Sequence, residues 1–242
     1  MNIKTKIVLL LFFSTLFKSY AQQNLFNVPS LEVTVKKDGF FQYQVNINNR
    51  IGNNLTYDYG LGKGWEIGFN VLNLSLNPNP NCQIIDVNND VDSDQPLGPL
   101  VLINAQKEFE IGKIFKVSSG FQFGTNTSSD IDIGNRPAAF GYINTKFFLL
   151  DKKLQIINGI YTGNKLYLGK GSQIGVMNGV EYTLHRHVHV MVDIFWGDNY
   201  ISECVGGFVF YLAPHISLSA GYQIPSPQSR AGQAVVFELT FF

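Results

Sequence analysis

The sequence predicts an all-β protein: a transmembrane antiparallel up-and-down β-barrel of about twelve strands, with ten and fourteen as the alternatives. Three observations predict it. From about Phe40 onward the chain is a series of segments that alternate apolar and polar residues, as in Phe41, Tyr43, Val45 and Ile47 against Gln42, Gln44, Asn46 and Asn48. Of its 242 residues 15% are charged, and 20 are Phe and 11 Tyr; soluble proteins average about 25% charged. The segments are joined by turns that are alternately tight and long, as expected where short turns face one side of a membrane and long loops the other.

Met1 to Ala21 reads as a secretory signal peptide. Lys4 and Lys6 make its basic start, Ile7 to Phe13 its apolar core, and Ser19-Tyr20-Ala21 a small-x-small cleavage site. The apolar run is far short of the ~20 residues a spanning helix needs. Residues 22–39 follow as a leader with weak strand character at 31–37, either periplasmic or lying within the pore, and 40–242 form the barrel. Removing the signal takes away Lys4, Lys6 and Lys18 and no acid, which leaves 15 basic against 18 acidic residues, net −3. Nucleic-acid binding therefore has no electrostatic basis.

The expected strands are 40–48, 54–61, 65–75, 98–108, 114–124, 137–149, 153–162, 172–184, 187–197, 201–212, 215–223 and 232–242. Successive side chains on a strand point to opposite faces, so each presents an apolar and a mainly polar face. Val188, Val190, Val192, Ile194 and Trp196 interleave with His187, His189, Met191, Asp193 and Phe195, and Ile216, Leu218, Ala220 and Tyr222 with Ser217, Ser219, Gly221 and Gln223. The faces of 137–149 and 153–162 are poorly resolved by pattern. Tight turns are expected at Gly62-Lys63-Gly64, Ile111-Gly112-Lys113, Leu150-Asp151-Lys152, His185-Arg186 and Ala213-Pro214. Long loops are expected at 76–97, 125–136, 163–171 and 224–231, with shorter members near 49–53 and 198–200.

Charge placement follows the same partition. Arg or Lys facing lipid at the bilayer midplane costs ~2–4 kcal/mol, and the apolar phases of the well-patterned strands hold no charge. Tyr57, Tyr59, Trp65, Tyr182, Trp196, Tyr222 and Phe241 fall toward strand ends, where aromatic girdles meet lipid headgroups. The chain ends Val235-Val236-Phe237-Glu238-Leu239-Thr240-Phe241-Phe242. This resembles the C-terminal assembly signal of bacterial outer-membrane barrels, except that Phe242 lies one step beyond the apolar phase.

With the export signal, the strand pattern, Gly60-Leu61-Gly62-Lys63-Gly64-Trp65-Glu66-Ile67-Gly68 and the ending Glu238-Leu239-Thr240-Phe241-Phe242, the chain resembles small porin-like outer-membrane barrels of Bacteroidetes type. Its size and layout are similar to those of the transporter-like barrels grouped with the MetA pathway of phenol degradation. The resemblance implies an outer-membrane location, contact with outer-membrane lipid, and passage of small solutes. It carries over no functional residue, and solute, gating and oligomeric state are not legible.

The candidate lumen-lining residues are Asp58, Glu66, Glu181, Asp193 and Glu238, with Lys116 and His189 opposing them, a mildly acidic set that would favour cations. A leader at 24–39 is available as a plug. Cys82, in the longest loop, and Cys204 fall on the oxidising side and could form a disulfide tying that loop to the rim. Asp86, Asp90, Asp92 and Asp94 alternate as hard-oxygen calcium ligands could. Counted from Asp90, however, position six is Gln95 and position twelve Val101, so this is no EF-hand. His185, His187 and His189 share a strand face, but no matching acid or cysteine completes a zinc set. No cofactor is expected. A small-solute channel or transporter is the leading function. A non-transport accessory barrel binding envelope components is the alternative. A lipid-modifying hydrolase built around His189 and Asp193 comes third, lacking any Gly-x-Ser-x-Gly.

Overall fold

Side chains of β-branched and aromatic residues suit a pleated, half-buried surface, and the alternating segments all become strands. The computed structural model describes residues 25–76, 87–126, 137–229 and 231–242; the signal-peptide reading, Cys82 and Asp86 lie outside them. The strands are β1 (Gly39–Ile47), β2 (Ile51–Gly62), β3 (Trp65–Leu76), β4 (Leu100–Glu110), β5 (Phe115–Asn126), β6 (Ala138–Leu149), β7 (Leu154–Gly163), β8 (Ile174–His185), β9 (Val188–Phe195), β10 (Glu203–Ala213), β11 (Ile216–Pro225) and β12 (Ala234–Phe241). Each is antiparallel to its sequence neighbours, and β1 pairs with β12 to close the ring. The closing seam sets Phe41 opposite Phe241 and Val45 opposite Phe237. At 8 to 12 residues, the strands match the ~9–11 that a tilted strand needs to cross a bilayer.

The tight turns gather at one end and the long connections at the other. At the short-turn end, Gly62, Lys63 and Gly64 all take positive φ (85°, 55° and 73°), and so do Leu150, Asp151 and Lys152. At the long-loop end the expected loop 163–171 contains a short helix, α1 (Lys165–Leu168). Asn164 caps it by accepting from Tyr167 N, and the turn buries Tyr167 and Leu168.

The outer face is oily. Phe69, Ile103, Phe121, Ile143, Val176 and Phe237 are all exposed, as are the seven aromatics expected at strand ends. Lys107 also lies on this face, near the short-turn end, where its ammonium reaches back to the carbonyl of Lys63 and over the ring of Trp65. That is snorkelling toward water. The weak patterning of β6 and β7 has a structural cause. Their inward positions hold Phe140, Tyr142, Ile157 and Tyr161, all buried, while Asn158 faces outward. Asn158 accepts a hydrogen bond from Asn178 Nδ2 (2.8 Å), and Trp196 Nε1 donates to Asn178 Oδ1 (2.7 Å). An amide facing lipid is tolerated when it is paired this way.

The inner face is divided, and part of it is more apolar than the mainly polar face expected of each strand. β1 to β5 present buried Gln42, Gln44, Asp58, Glu66, Asn70 and Gln106, whereas β7 to β10 and β12 present Ile157, Met177, Met191, Val205, Val209 and Val236. The apolar strip is covered by residues 25–31, whose Leu25, Phe26, Val28 and Leu31 are at most 2% exposed and belong to the same cluster. The terminal aromatic also has a place. Phe241 faces outward, while Phe242 turns against the Tyr211 ring (6.4 Å) and its amide donates to His215 O (3.1 Å).

Replacing outward, mid-strand Phe237 with Arg should lower stability by about 2–4 kcal/mol, measured by denaturant unfolding in lipid vesicles. An unchanged midpoint would contradict the assignment of that face to lipid.

Candidate functional site

A chain that enters a closed ring must satisfy its backbone groups on the wall, because there is little water to do so. Residues 25–38 do this against strands on every side. At the far end of the segment, Asn27 N and Val28 N donate to Asp193 Oδ2 on β9 (2.6 and 2.9 Å). Asn27 Nδ2 donates to Glu203 Oε1 on β10 (2.7 Å), and Gln44 Nε2 on β1 donates to Phe26 O and Asn27 Oδ1 (3.3 and 3.1 Å). Pro29 O accepts from Asn144 Nδ2 on β6 (2.9 Å). Glu32 pairs with Lys146 on β6, and its carbonyl accepts from Gln106 Nε2 on β4 (3.3 Å). Thr34 N and Oγ1 donate to Glu66 Oε2 on β3 (2.8 and 3.1 Å). At the short-turn end Lys37 N donates to Gly60 O on β2 (2.9 Å). Residues 25–38 thus lie inside the barrel as a plug, tied to seven of its strands.

Two inward glycines make the close approach workable. A Cβ on Gly60 would overlap the carbonyl oxygens of Val35 and Thr34, and one on Gly179 would overlap the Leu25 side chain. At Gly60 the clash is with backbone, so the position needs the space that only glycine leaves, whereas at Gly179 it is with the tip of Leu25.

The seven candidate lumen residues sit as follows. Asp58, Glu66, Glu181, His189, Asp193 and Glu238 are buried on the inner face, and Lys116 is half-buried there. Glu66 and Asp193 hold the plug. His189 contacts Glu181 instead, with the Tyr211 ring 4.7 Å away. Lys116 pairs with Glu108 (2.9 Å) and Glu110 (3.4 Å) near the short-turn end. Ser219 Oγ donates to Glu238 (3.3 Å), and Asp58 lines the cavity described next.

Sequence reasoning passed over Glu32, Gln44, Asn144, Lys146 and Glu203, which meet only because the ring closes. A partial signal existed in Lys146, the one charge in 137–149. Of the other candidates, Cys204 is half-buried on β10 at an outward position. Asp90 Oδ1 accepts from Asp92 N (2.8 Å), and Asp94 pairs with Lys170 (3.0 Å). His185 and His187 are exposed with rings 5.6 Å apart. Among the described residues no group of three or more His, Cys, Asp or Glu is placed to hold a metal.

A cavity of about 840 Å³ occupies the long-loop half of the barrel. Phe26, Asn27 and Pro29 of the plug lie at its base. Amides from β1 to β5, including Gln42, Gln44, Asn70, Asn104 and Gln122, line one side. Phe140, Tyr142, Tyr167 and Phe195 line the other. Phe140 stacks on Tyr167 (4.7 Å, 15°), and Tyr167 Oη donates to Gln122 Oε1 (2.9 Å). Burial pushes the Tyr167 phenol above its ordinary range, so it stays a donor at physiological pH. A second cavity of about 590 Å³ lies at the short-turn end beside Val33, Thr34, Val35 and Lys36.

No protein-family model and no curated protein matches the chain. Solved porins share its fold. The KdgM porin, determined alone and in complex with disordered oligogalacturonate, is 9% identical with a TM-score of 0.59, over 84% of this chain and 98% of that one. The NanC porin is 11% identical with a TM-score of 0.57, over 85% of this chain and 100% of that one.

A hydrogen bond to a charged group is worth about 1.5–3 kcal/mol, so removing one anchor should loosen the plug locally. Asp193→Ala is expected to speed amide exchange at Asn27 and Val28 by about tenfold or more, while Thr34, held by Glu66, keeps its protection. Equal acceleration at all three would mean the plug moves as one unit.

Proposed function

We propose that this protein is an outer-membrane, porin-like barrel that admits small solutes into a vestibule at its long-loop end and passes them when its N-terminal plug yields. The observation that carries this reading is the vestibule itself: a cavity of about 840 Å³ inside a closed ring, ending on residues 26–29 of the plug. The short turns then face the periplasm and the long loops the exterior, as in bacterial barrels. Kinship with Bacteroidetes-type barrels and the phenol-degradation transporters is part of the proposal and rests on the export signal, the strand pattern, residues 60–68 and the C-terminal ending.

The charge of the lining supports cations or neutral solutes. Asp58, Glu66 and Glu203 face the cavity, with Arg50 as the cation among its described lining residues. One structural neighbour was determined with oligogalacturonate, a polyanion; the lining here would repel such a chain.

The filled interior favours a second reading, an accessory barrel that passes nothing. The hydrolase reading has less support, because among the described residues the hydrogen-bonding partner of His189 is Glu181 and not a serine.

Planar-bilayer recordings separate these readings. The native protein is expected to conduct weakly. The paired variant Gly60→Val with Gly179→Leu, which removes the space for the plug, should conduct at least several-fold more, with reversal potentials in asymmetric KCl on the cation side. Anion selectivity would overturn the charge argument, and silence of both proteins at every voltage would favour the accessory reading.

A further inference from the structure

We infer that the vestibule binds an uncharged, polyhydroxylated ligand, a neutral saccharide, held between its amide wall and its aromatic wall. This rests on the reading that solutes enter the vestibule and names their class. The argument begins with the lining. Hydroxyl groups both donate and accept, and a carboxamide offers one acceptor oxygen and two N–H donors. Amide side chains therefore match hydroxyls in pairs, where carboxylates would only accept and ammonium groups would only donate. Gln42, Gln44, Asn70, Asn104 and Gln122 supply such a surface from adjoining strands. Several are already oriented by neighbours: Asn104 Nδ2 donates to Asn70 Oδ1 (3.0 Å), and Asn54 Nδ2 donates to Gln44 Oε1 (3.1 Å).

The facing wall supplies the complementary half. A pyranose ring has apolar faces of axial C–H bonds, and these stack on aromatic rings. Phe140, Tyr142, Tyr167 and Phe195 border the cavity, and the Phe140 and Tyr167 rings stack nearly parallel, 15° apart. Tyr161 packs edge-on to Phe195 (5.1 Å, 68°) behind them, which fixes their orientation. At about 840 Å³ the cavity falls in the usual range for ligand sites and has room for a short oligosaccharide.

The placement of Gln44 adds a coupling. Its amide lines the vestibule and also holds Phe26 O and Asn27 Oδ1 of the plug. A saccharide that recruits Gln44 competes with the plug for it.

The test is titration calorimetry on the purified, folded barrel in detergent with three probes: maltohexaose, hexagalacturonate, and a polyethylene glycol of similar length that lacks internal hydroxyls. Maltohexaose should bind with a measurable heat and at least tenfold more tightly than either of the others. Tyr167→Ala should weaken it by about tenfold, the scale of a lost aromatic stack. Gln122→Leu, which keeps the volume and removes the amide, should weaken it several-fold even if Tyr167→Ala perturbs α1. Equal binding of polyethylene glycol, tighter binding of hexagalacturonate, or no heat with maltohexaose would each overturn the inference. Conductance is read separately, so saccharide binding without conductance removes the channel reading alone, and conductance without saccharide binding removes this inference alone.

Discussion

Lipid offers a peptide group no hydrogen-bonding partner, and that constraint governs the molecule. A strand crossing the hydrocarbon must find both neighbours among other strands, so the ring has to close with no free edge. Here the closure is made by β1 on β12 over seven registered pairs from Phe41–Phe241 to Ile47–Val235. Once the ring is closed, each side chain has two destinations, bilayer or interior. The alternation of the sequence, the low charge and the aromatic excess all follow from that choice.

The interior then poses a problem of its own. An aqueous channel would leave Ile157, Met177, Met191, Val205 and Val209 wetted. The chain covers them with Leu25, Phe26, Val28 and Leu31. Burying an apolar side chain contributes about 1.5–3 kcal/mol, so the plug is held by its oily face as well as by Asp193, Glu66 and Lys146. The two kinds of contact divide the work. The apolar strip fixes which wall the plug lies on, and the carboxylates fix its position along that wall. What remains open is the amide and aromatic half, and that is the vestibule.

The ring was legible in the sequence because a period of two survives any register, and the twelve expected segments fall within a few residues of the twelve strands. The weak segments were weak for a reason. β6 and β7 carry Phe140, Tyr142, Ile157 and Tyr161 inward and Asn158 outward, while Ile143, Phe147 and Ile160 still face outward, so both faces hold apolar residues and the alternation blurs there. The position of Phe242 was likewise illegible, since its contacts, Tyr211 on β10 and His215 in the turn after it, lie far back in the sequence. The vestibule could not be read at all. Gln42, Asn70, Asn104 and Gln122 looked like ordinary members of polar phases, and only the ring's closure and the folded loop around Tyr167 bring them opposite an aromatic wall.

The plug runs directly into β1, one of the two lips of the seam. Its last residues are stitched to β2, where Lys37 N donates to Gly60 O and Gly60 N to Asp38 O. Displacing the stopper therefore tugs on the lip unless the break falls upstream of that stitch, which makes the short-turn mouth the pivot of any opening.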